Sequence, residues 1–405
     1  MPERAAARPF DVVLWGATGF TGRHLAIAFA EAAPAGLRWA IGGRDEARLV
    51  ALREGLGADV GIVLGDALDA ESMRALARSA RVVLSTAGPY ARYGTALVDA
   101  CVTAGSDYAD VTGETLWMRA SIDAFDARAR ASGSRIVHAC GFDSVPSDLG
   151  TWLLQRTAVE RHGVACDAID HVFGPLVGGL GGGTVASAFG VIEEAVIDAR
   201  ARRALRDPNL LAPGAAPAPP VDDAWWPQWD AALGCWTAPF AMAAVNTRVV
   251  RRSATLLGAA WAASTRYRER WRAPHWPAAL SVGLATRAAP VALAVGPVRR
   301  WLRGRLPQAG QGPSDAALAR GAFRSTLTGR FDDRAETVTV TIASDRDPGY
   351  GATVRMLREV GLALLDGGLD APGGVHTPAS VGAERLLAGM PRAGVRFEVV
   401  GAPTS

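Results

Sequence analysis

Val12-Val13-Leu14-Trp15 runs straight into Gly16-Ala17-Thr18-Gly19-Phe20-Thr21-Gly22, an apolar run followed by three glycines at G-x-x-G-x-x-G spacing. Glycine permits a tight turn and close backbone approach, and a helix starting there offers unpaired N–H groups and a partial positive charge. Between a strand and a helix, this pattern cradles a pyrophosphate. Gly16, Thr18, Gly19, Phe20, Thr21 and Gly22 are therefore candidate dinucleotide contacts. The next apolar run ends in Gly42-Gly43-Arg44-Asp45. An acid in that place would serve a ribose 2′-hydroxyl, whereas the Arg44 guanidinium matches a 2′-phosphate and so selects NADP(H). The alternative for Arg44 is a surface pair with Asp45 or Glu46. Asp66 suits the adenine neighbourhood, and Thr86-Ala87-Gly88-Pro89 lies where the ligand would cross the sheet.

Hydride from such a cofactor leaves the protein to orient the substrate and deliver a proton. The chain contains no lysine, and its 43 basic side chains are all arginine. That excludes Schiff-base chemistry, a P-loop lysine and a Tyr-x-x-x-Lys pair. The donor is then Tyr, His, an acid or water. Tyr90 and Tyr93 follow the fourth strand on the cofactor side; the alternative is that they pack the turn. Asp143 follows the sixth strand at the carboxyl edge, with Ser144 and Asp148 close by; Asp143 and Ser147 could instead cap the next helix. Glu114 is either a cleft acid or a structural or capping group. His138, inside a predicted strand, reads as a satisfied core residue, and His376 sits in a glycine-rich loop.

The remaining composition narrows the class. Cys101, Cys140, Cys166 and Cys235 show no C-x-x-C spacing and no accompanying His cluster, so buried thiols are expected rather than a metal site or disulfides. A net charge of +3 does not argue for a nucleic-acid partner. Met1 to Pro9 has no apolar h-region, so the expected compartment is the cytoplasm.

These residues need a scaffold, and the hydrophobic pattern supplies one. Strands are predicted at 10–15, 38–42, 60–64, 81–86, 108–111 and 135–139, with helical stretches between them. That alternation implies βαβ units and a Rossmann-type doubly wound parallel sheet in the order 3-2-1-4-5-6. The pattern changes near Pro146. Residues 174–184 are glycine-rich, 207–227 read as a linker, and 322–343 alternate in strand fashion. Helix is expected over 350–366 and a terminal strand over 395–400. The division is 1–146 for the nucleotide domain, 147–349 for an α+β substrate domain and 350–405 for a C-terminal segment. Ala278 to Val298 is mostly apolar, between Trp276 and Arg299-Arg300-Trp301. Arg287 near its middle would cost about 2.5–3.5 kcal/mol in a spanning helix, and Pro290 is expected to interrupt it. A buried or surface helix is expected there; the alternative is a patch that rests on a membrane or shields a greasy substrate.

Several of these motifs together resemble the saccharopine dehydrogenase-like oxidoreductases. They are Val13 to Gly22, Gly88-Pro89-Tyr90-Ala91-Arg92-Tyr93-Gly94, Tyr108 to Glu114, and Cys140-Gly141-Phe142-Asp143-Ser144-Val145-Pro146-Ser147-Asp148. Within that group the likeness is to the trans-acting enoyl reductases of mycobacterial lipid synthesis, whose pattern Gly181 to Ser187 and Gly373 to Ala379 also match. The likeness spans both ends and parts of the middle of the chain. It implies an NADPH-dependent reductase of carbon–carbon double bonds in acyl or polyketide-type lipid precursors, with a small-molecule or carrier-bound acyl substrate. It also implies that the segment 350–405 packs back on the nucleotide domain. A homodimer and a peripheral membrane or lipid contact are further expectations. The alternatives are a saccharopine-type amino acid dehydrogenase and a non-catalytic NADP(H)- and lipid-binding protein. Arginines of the second domain stand mostly beside tryptophan and apolar runs, which tilts the substrate toward an acyl chain.

Overall fold

In the computed structural model, residues 8–178, 182–217, 226–305 and 311–401 are described. Six parallel strands open the chain: β1 (Phe10–Trp15), β2 (Trp39–Gly43), β3 (Gly61–Leu64), β4 (Ala80–Ser85), β5 (Asp107–Asp110) and β6 (Arg135–Val137). They lie in the order β3-β2-β1-β4-β5-β6, as the alternating pattern predicts. A strand buried on both faces is largely apolar, because successive side chains point to opposite sides, and its buried charges must be paired, as Asp107 is with Arg135 and Asp110 with His138. In β1, Val12 and Leu14 enter one core while Val13 and Trp15 enter the other. The first core is closed by the helices Phe20–Ala32 and Thr353–Leu365. The second is closed by Ala70–Ser79, Thr95–Ala104 and Thr115–Ser132.

The sixth strand stops two residues short of the predicted end. Ala139 has φ 61°, a left-handed conformation that costs a non-glycine residue energy and breaks the extended run. Its N–H is held by Asp110 Oδ1 at 3.2 Å, and the N–H of Cys140 by the Asp110 carbonyl at 2.7 Å. The chain then turns into the helix Val145–His162, which leaves the first sheet and packs on a second one.

That second sheet comprises β7 (Ala168–Val177), β8 (Gln228–Asp230), β9 (Cys235–Pro239), β10 (Arg266–Ala273), β11 (Ala322–Arg330) and β12 (Thr337–Ser344). β7 and β10 pair parallel, and their other neighbours pair antiparallel. In β12, Val338, Val340 and Ile342 are buried while Thr337 is exposed, the alternation expected of a sheet with one wet face.

The C-terminal segment divides. β13 (Gly374–His376) adds to β6 as the seventh strand of the first sheet, whereas β14 (Val395–Val399) pairs with β12 at the edge of the second. The expected return of 350–405 to the nucleotide domain therefore describes its first half only. Apolar Val395 and the alternation after it suit the open β12 edge.

The apolar stretch forms one helix, Trp276–Ala294, which passes through Pro290. The interruption expected at Pro290 does not occur. Thr286, whose carbonyl loses its partner there, is exposed, so water can take the freed acceptor. The break comes at Val295, before a second helix Gly296–Arg303 with proline near its start.

Candidate active site

Gly16 sits at φ 82° directly after β1, and a Cβ there would lie 3.0 Å from the backbone nitrogen of Ala87. The turn after β1 and the loop after β4 are thus pressed together at the point where strand order reverses. A Cβ on Gly22 would collide with the Gly16 carbonyl oxygen, so only glycine lets the helix pack onto its own turn. Gly19 precedes helix Phe20–Ala32 with no side-chain cap and no acid in the first turn. The opening N–H groups are left for an anion, and the helix dipole favours one. Backbone spacing, an uncapped helix start and nearby cations fit a dinucleotide.

Arg44 is exposed and pairs with neither Asp45 nor Glu46. Asp45 instead caps the helix Glu46–Leu56, accepting from the N–H of Arg48 at 3.1 Å. The Arg48 guanidinium reaches back and donates to the Thr18 carbonyl at 3.1 Å. Two arginines therefore flank the turn where one was predicted. Arg48 carries no motif that singles it out in the sequence; its reach across to Thr18 depends on the direction of the helix. Asp66 Oδ1 accepts from the N–H of Leu68 at 2.9 Å, which holds the turn after β3.

Two predicted contacts have other partners. The Phe20 ring packs edge-on against Tyr350 at 4.7 Å and beside His24. Thr86 Oγ1 donates to the Trp15 carbonyl at 3.2 Å and extends the β1–β4 pairing. Ala87, Gly88 and Pro89 follow at the open edge, with Gly88 exposed.

Among the candidate proton donors, Tyr90 is corrected. Its hydroxyl donates to the Ser85 carbonyl at 3.0 Å inside the core, and burial, with Asp110, Glu114 and Asp143 nearby, pushes its pKa well above 10.0. A phenol so placed packs the turn. Glu114 is structural as well: Oε1 accepts from the N–H of Tyr90 at 2.9 Å and from Ser187 Oγ at 2.6 Å, and Oε2 from the N–H of Ala91 at 2.8 Å. It clamps the loop after β4 and ties it to the helix Gly182–Ile197.

Asp143 differs from both. The loop carrying it is held by Asp110 on one side and by Thr353 Oγ1, which accepts from the N–H of Phe142 at 3.0 Å, on the other. Its own carboxyl is half-buried and has no hydrogen-bond partner among the described residues. Burial pushes its pKa up to about 6. It caps nothing, because helix Val145–His162 starts after Ser144 without a side-chain cap. Ser147 does not cap either; its hydroxyl donates to buried Glu269, which Tyr267 and Asn246 also engage. Tyr93 is half-buried beside the Arg92 guanidinium, with no hydrogen bond on its hydroxyl among the described residues.

The histidines hold structure. His138 Nδ1 meets Asp110 Oδ2 at 2.8 Å and Nε2 meets Ser121 Oγ at 2.9 Å. The connectivity is that of a nucleophilic triad, yet Ser121, His138 and Asp110 are all buried, so no substrate can reach the hydroxyl. His376 Nε2 faces the Pro372 carbonyl at 2.9 Å in β13. The four cysteines are buried and unpaired.

Residues 12–137 match the saccharopine dehydrogenase NADP-binding domain, and the protein is accordingly an NADP-dependent oxidoreductase. A Mycobacterium tuberculosis protein assigned by name to the trans-acting enoyl reductases is 41% identical, covering 97% of this chain and 98% of its own. A trans-acting enoyl reductase of Mycobacterium bovis is 37% identical over 96% of this chain and 97% of its own. The apo saccharopine dehydrogenase (L-Glu forming) of Saccharomyces cerevisiae superposes with a TM-score of 0.54 at 13% identity, covering 97% of this chain and 100% of that one, a likeness of fold. The chain belongs to the saccharopine dehydrogenase-like oxidoreductases, among the relatives that carry the trans-acting enoyl reductase name.

Proposed function

We propose that this oxidoreductase reduces the carbon–carbon double bond of an α,β-unsaturated acyl thioester of the polyketide or fatty-acyl class. The observation that carries the reading is an unpartnered, half-buried carboxyl, Asp143, at the same strand edge as an uncapped glycine turn. In this reading the helix start at Gly19 to Gly22 takes the pyrophosphate and Arg44 with Arg48 takes the 2′-phosphate. Asp66 lies on the adenosine side. When bound, NADPH supplies the hydride, and a proton completes addition across the double bond. Asp143, with its pKa raised to about 6, exchanges that proton near neutral pH, where an ordinary carboxyl would already be stripped. Tyr93 is the second candidate for binding the thioester carbonyl or passing the proton.

Substrate polarity follows from where the arginines go. A dicarboxylate amino acid needs converging guanidinium groups. The buried arginines of the second half instead donate within the fold: Arg248 to the Asp207 carbonyl, Arg252 to the Leu211 carbonyl, Arg270 to Thr237 and Arg358 to the Ala28 carbonyl. At the edge of β5, Gly113 faces apolar Met242 and Val245. The names of the relatives at 37–41% identity point the same way. The test is NADPH oxidation with 2-enoyl thioesters and with saccharopine-pathway substrates in parallel. Turnover of the enoyl thioesters is expected. Turnover of the saccharopine-pathway substrates alone would overturn the reading, and tight NADPH binding with no turnover on either would make the chain a binding protein.

A further inference from the structure

The helix Trp276–Ala294 has the length and apolar composition of a membrane span, and most of it is not buried in the fold. Its two halves behave differently. The first packs on the second sheet: Ala279 joins Ala238 and Ala273 in a small core, against which Val282, Trp236 and Trp271 also pack. From Leu284 to Ala289 every residue is exposed, with Leu284 at 51%. The helix Gly296–Arg303 continues the surface with Val298 exposed and Trp301 56% exposed. Leu284, Val295, Val298 and Trp301 are thus large apolar side chains exposed along these two consecutive helices, the kind of surface a partner covers.

Charge identifies the partner. Between Glu269 and Asp315 there is no acid, while Arg287, Arg299, Arg300, Arg303 and Arg305 all fall in that interval. Apolar side chains with tryptophans and arginines at their margin suit the headgroup boundary of an anionic bilayer. Spanning does not fit, because the first half of the helix is committed to the sheet. What remains free is far shorter than the ~20 residues a span requires. We propose that the free half of Trp276–Ala294 and the helix Gly296–Arg303 together dock this protein on an anionic lipid surface.

The docking element is joined to the catalytic end of the molecule. Arg299 pairs with Glu193 at 3.4 Å on helix Gly182–Ile197, and Ser187 of that helix donates to Glu114 at the loop after β4. Beyond the second helix, Gly312 lies against the Phe20 ring at the start of the cofactor helix. A bilayer contacted here stands beside the site that would receive an acyl chain. The docking inference holds whichever double bond is reduced.

Vesicle co-sedimentation of the full chain tests it, with phosphatidylcholine vesicles against phosphatidylcholine–phosphatidylglycerol vesicles at low and high salt. The protein is expected to bind the anionic vesicles at least tenfold more tightly, and salt should weaken that binding. Leu284→Glu with Trp301→Ser should reduce binding to anionic vesicles at least tenfold. Arg300→Glu with Arg305→Glu should abolish the preference for them. All four residues are exposed, so NADPH affinity should stay within twofold of the parent and report intact folding. Protein left in the supernatant with both vesicle types would overturn the inference. So would variants that bind like the parent, or a dimer that Leu284→Glu splits while neither form binds vesicles, since a second copy would then cover the patch.

Discussion

Asp143 and Arg44 were both legible as residues, for different reasons. Arg44 follows a strand end where the ligand's identity is decided by charge, and its freedom from Asp45 and Glu46 leaves that charge available. A charge-assisted contact is worth about 1.5–3 kcal/mol, so Arg44→Asp should weaken NADPH binding by about one to two orders of magnitude and leave NADH binding nearly unchanged. Fluorescence titration with the two cofactors checks this. Arg48→Ala should show the same selectivity with a smaller loss. Asp143→Asn should cut turnover about 100-fold while NADPH affinity holds. Because the carboxyl must carry its proton to donate it, kcat/KM of the parent should fall as pH rises past about 6, and that limb should vanish in the variant. Tyr90 stands at the right place with the packing role in the end, and Glu114 takes the structural one of its two readings. Their partners are a backbone carbonyl at Ser85 and backbone N–H groups at Tyr90 and Ala91, which residue types do not reveal.

Among the elements, β1 and β4 were readable because their centres are apolar on both faces, and the turn after β1 because its glycines are steric necessities. Gly22→Ala should destabilise the protein by about 1–3 kcal/mol, as overpacking against fixed backbone does, and should weaken NADPH binding at least tenfold. Gly55→Ala makes the contrast: in an exposed helix position with nothing near its Cβ, it should stabilise by about 0.5–1 kcal/mol. Chemical denaturation measures both. Two element ends were illegible for physical reasons. β6 is ended by a left-handed alanine that no residue-type rule anticipates, and the helix Trp276–Ala294 carries Pro290 because solvent can satisfy the freed carbonyl of Thr286.

At the scale of the whole molecule, the chain crosses between its two sheets and comes back, giving β13 to one and β14 to the other. Nothing in the alternation of β14 says which edge it will find; β12 is an open edge only once the second sheet exists. Asp148 sits at this junction, accepting from the N–H of Ala379 at 2.7 Å and from the hydroxyl of Ser253. Burial raises its pKa to about 7 from 3.8, so the folded chain binds a proton that the unfolded chain releases between those values. The stability this adds is full below pH 4 and is lost as pH rises through about 7. Asp148→Asn should therefore gain on the parent from pH 5 to pH 7, by at most about 1.4 kcal/mol per pH unit, with little further change above. Denaturation curves of both proteins at four pH values measure the difference.

The central claim is that this cradle and this acid together reduce an acyl double bond. Single-turnover mixing of the enzyme with NADPH carrying deuterium at the transferable position and a 2-enoyl thioester tests it most directly. The account predicts one deuterium at the β-carbon of the saturated product and a solvent proton at the α-carbon, with Asp143→Asn slowing both. Deuterium delivered instead to the α-carbon of an amino acid formed from saccharopine-pathway substrates, with the enoyl thioester untouched, would contradict it.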